Sequence, residues 1–193
     1  MSSFSKFVAV LLLVFGSMTT PNVDAQPVDQ NEALKQIAAQ TSALGHIATI
    51  LRLSEDLAFW QGVALMGEEF DWSFSYNTDG SEILRWTIRL SNVTENGEIE
   101  AKRASLGIAR NRYLTDDEKS EIAQLYAEYR QMLAIAREMH PLLIEKNVSK
   151  ATALFESKVI ELRRNISRIA YSASAGITKK IGTTARKARK KKK

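Results

Sequence analysis

The sequence predicts a mainly α-helical protein: an antiparallel bundle of three long helices with a small β-hairpin or irregular insert at residues 70–113 and a disordered basic C-terminal tail. Three observations lead to this fold class. Apolar residues recur every three or four positions in three long segments, apolar and polar residues alternate strictly around residues 70–90, and residues 179–193 are rich in Lys and Arg. We expect one helical domain at residues 26–178, between a signal peptide at 1–25 and the tail at 179–193.

The first 25 residues are typical of an export signal. Lys6 precedes an uninterrupted apolar run from Phe7 to Phe15, and the small residue Ala25 stands directly before Gln26. A membrane-spanning helix needs about 20 apolar residues, so this short run favours a cleaved signal over an anchor. We therefore expect cleavage between Ala25 and Gln26 and an exported protein, with the periplasm as first choice and the extracellular space as second.

The first long helix is predicted from Val28 to Met66. Its apolar stripe, with spacings of three, four or seven residues, consists of Leu34, Ile37, Thr41, Leu44, Ala48, Leu51, Ala58 and Leu65. A second set widens this stripe and predicts a helix that is buried on more than one side; its members are Ile47, Ile50, Leu53 and Leu57.

The segment from residue 70 to residue 90 predicts a β-hairpin. Apolar residues alternate with polar ones on both sides of the turn-forming sequence Asn77–Ser81; they are Trp72, Phe74 and Tyr76 before it, and Leu84, Trp86, Ile88 and Leu90 after it. The alternative is a second long helix that starts near Ser81. Residues 92–97 are then predicted as a loop with an Asn-Gly turn, and residues 99–109 as a weak helix.

Two further long helices are predicted from their caps and stripes. Thr115–Glu118 has the Thr-x-x-Glu spacing of a capping box and starts a helix that Pro141 should interrupt or kink. The last helix begins at Asn147 or Ser149 and should stop near Gly176. Its apolar stripe is Val148, Ala151, Phe155, Val159, Leu162, Ile166, Ile169 and Ala173.

The residues that carry chemistry give little indication of an enzyme. The absence of cysteine excludes thiolate catalysis, Cys-based zinc sites and iron–sulfur clusters. We interpret His46 and His140 as packed or capping residues rather than ligands, and Glu68, Glu69 and Asp71 as a solvated helix end rather than a cation site. No cofactor or metal is therefore expected.

Charge is divided unevenly between the body and the tail. Residues 179–193 carry nine basic residues and no acid, whereas residues 26–178 carry 17 basic and 21 acidic residues. Blocks of like charge repel one another and usually act as interaction tails. The residues predicted to bind an anionic surface are Lys179, Lys180, Arg186, Lys187, Arg189, Lys190, Lys191, Lys192 and Lys193.

These features together predict an exported, non-enzymatic binding or scaffolding protein. Its helical body would bind a protein or a small ligand, and its tail would engage an anionic membrane or a cell-envelope polymer. The first alternative is nucleic-acid binding through the same tail, which applies if the N-terminal segment is retained and the protein stays in the cytosol. The second alternative is a carboxylate-based enzyme of unknown reaction.

Overall fold

The computed structural model describes residues 28–69 and 85–190, which form long helices joined by short turns. In chain order the helices are α1 (Val28–Glu69), α2 (Arg85–Ala109), α3 (Asp116–Ile144), α4 (Val148–Leu154) and α5 (Ile160–Lys190). One π-helical turn, Phe155–Val159, joins α4 to α5 without a break. The described residues contain no strand, and the protein is mainly α-helical, as predicted.

Several predictions fall on residues outside these ranges. The signal peptide and the junction between Ala25 and Gln26 lie there, as do the first predicted strand of the hairpin, its turn and the last three lysines, residues 191–193. Those predictions stay predictions.

α1 and α2 run antiparallel. The guanidinium of Arg52 lies 2.8 Å from the Glu100 carboxylate, and at the other end of the pair the Asn111 side chain donates a hydrogen bond to the Ala39 carbonyl at 2.7 Å. Residue numbers therefore fall along α2 as they rise along α1.

α1 also runs antiparallel to the rod formed by α4, the π-helical turn and α5. Arg163 pairs with Glu55 at 2.5 Å, and the ring of Phe155 lies 3.7 Å from where a Cβ on Gly62 would be. The turns at residues 110–115 and 145–147 are so short that the chain must reverse at each of them. α3 therefore runs antiparallel to α2 and to the α4–α5 rod.

The packing is that of four antiparallel helices. α1 contacts α2, α3 and the α4–α5 rod, whereas α2 and α5 make no contact within the described residues and therefore occupy opposite corners. The sequence predicted three long helices, but the described residues form four, because α2 lies within the segment that was predicted as an insert.

The prediction of a second hairpin strand is wrong for residues 85–90, because they belong to α2. A strand would place Ile88 and Leu90 on one face. Instead Leu90 is fully buried while Ile88 is 45% exposed, because a helix rotates by about 100° per residue. The predicted loop at residues 92–97 is also wrong, since α2 continues through Gly97 to Ala109. The helix predicted as the alternative is correct from Arg85 onward.

The prediction of a disordered tail is wrong for residues 179–190, because they form the end of α5. Gly176 does not stop the helix, because Ile177 and Ile181 continue the buried stripe beyond it. Burial of these two side chains stabilises a helix end that its own run of like charges would disfavour.

The start of α3 confirms the capping box. Thr115 Oγ1 accepts a hydrogen bond from the Glu118 amide at 3.3 Å, and the Thr115 amide donates to the Glu118 carboxylate at 2.8 Å. The last helix begins as predicted, with the Asn147 side chain accepting from the Lys150 amide. Pro141 lies inside α3, which continues for three more residues to Ile144.

The core of α1 is centred on the set of residues that was predicted only to widen its stripe. Ile47, Ile50 and Leu57 are almost completely buried, whereas Leu34, the first member of the predicted stripe, is 45% exposed. The apolar core of the bundle consists mainly of these side chains with Leu90, Ile122, Leu125, Tyr129, Met132, Leu133, Met139, Leu143 and Ile166.

Candidate anion-binding face

The basic residues predicted to bind anions lie on α5. Lys179, Arg186, Lys187 and Arg189 are exposed. Lys180 points partly inward, and its ammonium lies 2.7 Å from the Glu118 carboxylate on α3. Lys190 is the last residue of α5, and residues 191–193 lie outside the described ranges.

α5 has one buried and one exposed side. The buried side faces α1 and α3 and is formed by Leu162, Ile166, Ala173, Ile177 and Ile181. Arg168 and Arg186 each stand nine residues from Ile177, which is about two and a half helical turns. Their side chains therefore leave the helix on the side opposite the core.

A line of exposed residues runs along that opposite side. We call it the outer face of α5, and its members are Arg164, Arg168, Tyr171, Ala175, Lys179, Gly182, Arg186 and Arg189. The spacings are three or four residues, so the line stays on one face. Residues 160–190 contain nine basic residues and a single acid, Glu161.

Arg164 and Arg168 were not predicted to bind anions. They lie in the part of the last helix where the sequence analysis followed only the apolar stripe. Arg164 stands nine residues before Ala173 and Arg168 nine residues after Val159, and this spacing was already a signal because it places both on the polar side of that stripe.

Two bases on the flanks of α5 are engaged by acids of neighbouring helices. The hydrogen bond to Glu55 raises the pKa of Arg163 above its ordinary value. Burial acts to raise the pKa of Glu118, but the hydrogen bonds from Lys180 and Thr115 outweigh it, and the pKa of Glu118 is lowered. These pairs attach α5 to α1 and α3. No ion pair within residues 28–69 and 85–190 involves a basic residue of the outer face of α5.

The two histidines lie apart from each other. His46 packs against Gly107, where an added Cβ would be 2.3 Å from its Nε2 atom. His140 lines a cleft of about 130 Å³ between α2 and α3, together with Thr94 and Arg137. The described residues hold no group of three or more His, Asp or Glu side chains arranged for a metal ion. The side chains of Glu68, Glu69 and Asp71 lie outside the described residues.

Buried polar side chains in the core went unnoticed in the sequence. Gln40, Ser54 and Gln61 have almost no exposed surface and stand on one line of α1, at spacings of 14 and seven residues. Both side-chain polar atoms of Gln40 lack a hydrogen-bond partner, as does the Tyr129 hydroxyl. Gln40, Ile47, Ser54 and Gln61 follow one another at intervals of seven residues. This spacing places the polar residues on the same face as Ile47 and was the signal available in the sequence.

Comparison with known proteins adds no family: no family model matches the sequence, and no curated protein or solved structure is significantly similar to it. None of the helices in the described ranges is both long enough and apolar enough to cross a bilayer.

Proposed function

We propose that this chain is an exported, non-enzymatic binding or scaffolding protein that attaches to anionic surfaces of the cell envelope. The observation that carries the proposal is the exposure of Lys179, Arg186, Lys187 and Arg189 on a helix that holds only one acid. Each Lys or Arg near an anionic membrane contributes about 1 kcal/mol of attraction. The expected compartment is the periplasm, with the extracellular space second.

The helical body supplies the second half of the proposal. α2 carries Ile88, Ile99 and Leu106 on a single outward line, and these side chains are 45–52% exposed. Their spacings of 11 and seven residues keep them on one face of the helix. Exposed polar residues, Asn92 and Glu95, lie between them on the same face, and such a mixed surface has the composition of a non-obligate protein interface, which agrees with a scaffolding role for the body.

The test compares two triple variants with the same loss of charge. R186Q/K187Q/R189Q removes three exposed bases of α5, and K102Q/R103Q/R110Q removes three exposed bases at the C-terminal end of α2 and in the turn directly after it, at the opposite corner. Cosedimentation with phosphatidylglycerol vesicles should show an affinity lower by about 100-fold for the α5 variant. The α2 variant should bind nearly as well as the parent. Equal binding by both variants, or equal parental binding to phosphatidylcholine vesicles, contradicts the proposal.

The alternative function is nucleic-acid binding through the same basic helix, which the net charge of α5 also favours. It requires the N-terminal segment to be retained, because an exported protein meets little nucleic acid. The intact mass of the native protein separates the two functions. A mass that lacks residues 1–25 supports export, and the mass of the whole chain supports the alternative.

A further inference from the structure

We propose that the outer face of α5 lies flat on an anionic lipid bilayer, so that Arg164, Arg168 and Tyr171 contact the headgroups together with the basic C-terminal end. This inference rests on the proposed function and enlarges its site, from the last turns of α5 to the full length of the helix.

The first support is the continuity of the outer face of α5. From Arg164 to Arg189 is 25 residues of uninterrupted helix, or about 38 Å at 1.5 Å per residue. The members between them leave the helix on the same side, opposite the buried line through Ile177. The bases at both ends of the line therefore point to the same side of the bundle.

The second support is the chemistry between the two basic groups. Arg168 and Lys179 are separated by about 16 Å of helix, and Tyr171 lies between them with 57% of its surface exposed. Tyr is enriched at membrane interfaces, because its ring is apolar while its hydroxyl stays hydrated. Ala175 within this stretch, and Gly182 just beyond it, are too small to hold a surface away.

The spacing of the charges favours a bilayer over a nucleic acid. The backbone of a nucleic acid carries phosphate charges at fixed intervals. The stretch of about 16 Å between Arg168 and Lys179 has no basic side chain, so several phosphates along it would have no partner. Lipids diffuse within the membrane, so anionic headgroups can gather beneath Arg164 and Arg168 and, separately, beneath the C-terminal group. A bilayer also touches only one side of the helix, as the buried opposite side of α5 requires.

The neighbouring acids leave the outer face of α5 positively charged. Glu55 and Glu118 pair with Arg163 and Lys180, which lie on the flanks of α5 rather than on its outer face. Glu161 is exposed on the same side, three residues before Arg164, and offsets one of the five bases of the outer face of α5, so that side keeps a net positive charge.

The experiment uses R164Q/R168Q in the full chain, with the C-terminal bases intact. The matched control is R103Q/R110Q, which removes the same charge from two exposed positions, one in α2 and one directly after its end. Binding to phosphatidylglycerol vesicles is measured at about 0.15 M salt, where screening over about 8 Å limits each charge to local effects. Helicity and thermal midpoint are recorded for every variant.

R164Q/R168Q should bind about 30-fold more weakly than the parent, at about fivefold for each base, and R103Q/R110Q should stay within about twofold. A third variant, Y171A, should bind several-fold more weakly with no change in the dependence on salt. If R164Q/R168Q binds like its control while R186Q/K187Q/R189Q is weakened, the inference is wrong and the proposed function stands. If neither α5 variant is weakened, both are wrong.

A parallel titration with duplex DNA at the same ionic strength separates the two classes of partner. Tighter binding to the duplex than to the vesicles, with the same loss on R164Q/R168Q, would make the outer face of α5 a nucleic-acid site and overturn the bilayer. Weaker binding to the duplex supports the bilayer.

Discussion

Single residues decide how closely α2 and α3 approach. The Tyr129 ring is fully buried, and its hydroxyl would be 2.2 Å from a Cβ on Gly97. Burial raises the pKa of the Tyr129 hydroxyl, with a smaller contribution from Glu100, so the group stays protonated. Only a residue without a side chain fits at position 97, and that is why an Asn-Gly pair, usually a sign of a turn, lies inside a helix here.

The first prediction concerns this contact. Gly97→Ala should lower the free energy of unfolding by about 1–3 kcal/mol, because the added methyl group forces a buried ring to move. Gly45→Ala is the matched control, since nothing lies within 4 Å of its added Cβ. It should stabilise the protein by up to about 1 kcal/mol through helix propensity alone. Urea denaturation measures both, and equal effects would contradict the contact.

The second prediction concerns the buried Gln40. Gln40→Met should raise the free energy of unfolding by about 1–3 kcal/mol, because it removes two buried polar atoms that have no partner at nearly constant volume. Gln124→Met, at an exposed position of α3, should change it little. Thermal unfolding is the measurement, with about 2–4 °C expected per kcal/mol for a chain of this length. A destabilised Gln40→Met would indicate a hydrogen-bonded partner for the amide.

Among the elements, helices with long apolar periodicity and explicit caps were predictable. The rod that begins at Asn147 buries most of its predicted stripe, α1 is centred on the set predicted to widen its stripe, and Thr115 and Glu118 form the predicted capping box. α2 was not predictable with the same certainty. Residues 99–109 of α2 were predicted as a helix, but Trp86, Ile88 and Leu90 have the spacing of a strand, and burial of Leu90 in the core favours the helix there.

The third prediction concerns the junction of α3 and α5. Glu118→Gln keeps a capping-box residue but removes the charge that faces Lys180. Because the folded-state pKa of Glu118 is lowered, its carboxylate stabilises the fold above about pH 4.5, the ordinary pKa of Glu. That contribution should disappear as the pH falls through the folded pKa.

The free energy of unfolding of the parent should therefore exceed that of Glu118→Gln by about 0.5–1 kcal/mol at pH 7, and the two should converge as the pH falls below the folded-state pKa of Glu118. Chemical denaturation across this pH range provides the measurement. Lys180→Gln is the control for the pair, and in its background the change at Glu118 should have a smaller effect. A difference that does not depend on pH would rule out the ion pair as its cause.

At the scale of the whole molecule, the C-terminal residues belong to the bundle. A sequence rich in Lys and Arg with a Gly before it predicts a free tail, and local charge alone gives no reason to expect otherwise. The structure differs because Ile181 is placed over the core by the register that Ile177 sets. The candidate site therefore combines bases that were predicted from the sequence with Arg164 and Arg168, which lie on the same side because α5 is continuous from Ile160 to Lys190.

The fourth prediction separates the structural part of this segment from its charged part. A chain that ends at Thr178 loses the buried Ile181 and the ion pair of Lys180 with Glu118, so its thermal midpoint should fall by several degrees. R186Q/K187Q/R189Q keeps both and should melt within about one degree of the parent. Circular dichroism during heating measures this difference, and a truncated chain that melts like the parent would contradict the packing of Ile181.

The opposite corners occupied by α2 and α5 have a consequence for the geometry of assembly. Neighbouring helix axes lie about 10 Å apart, so the axes of α2 and α5 are separated by at least about 14 Å. When the outer face of α5 lies on a bilayer, the aliphatic line through Ile99 faces away from it. The bundle then acts as a spacer of fixed height, which keeps a partner bound to α2 away from the headgroups. The partner would still diffuse only in the plane of the membrane.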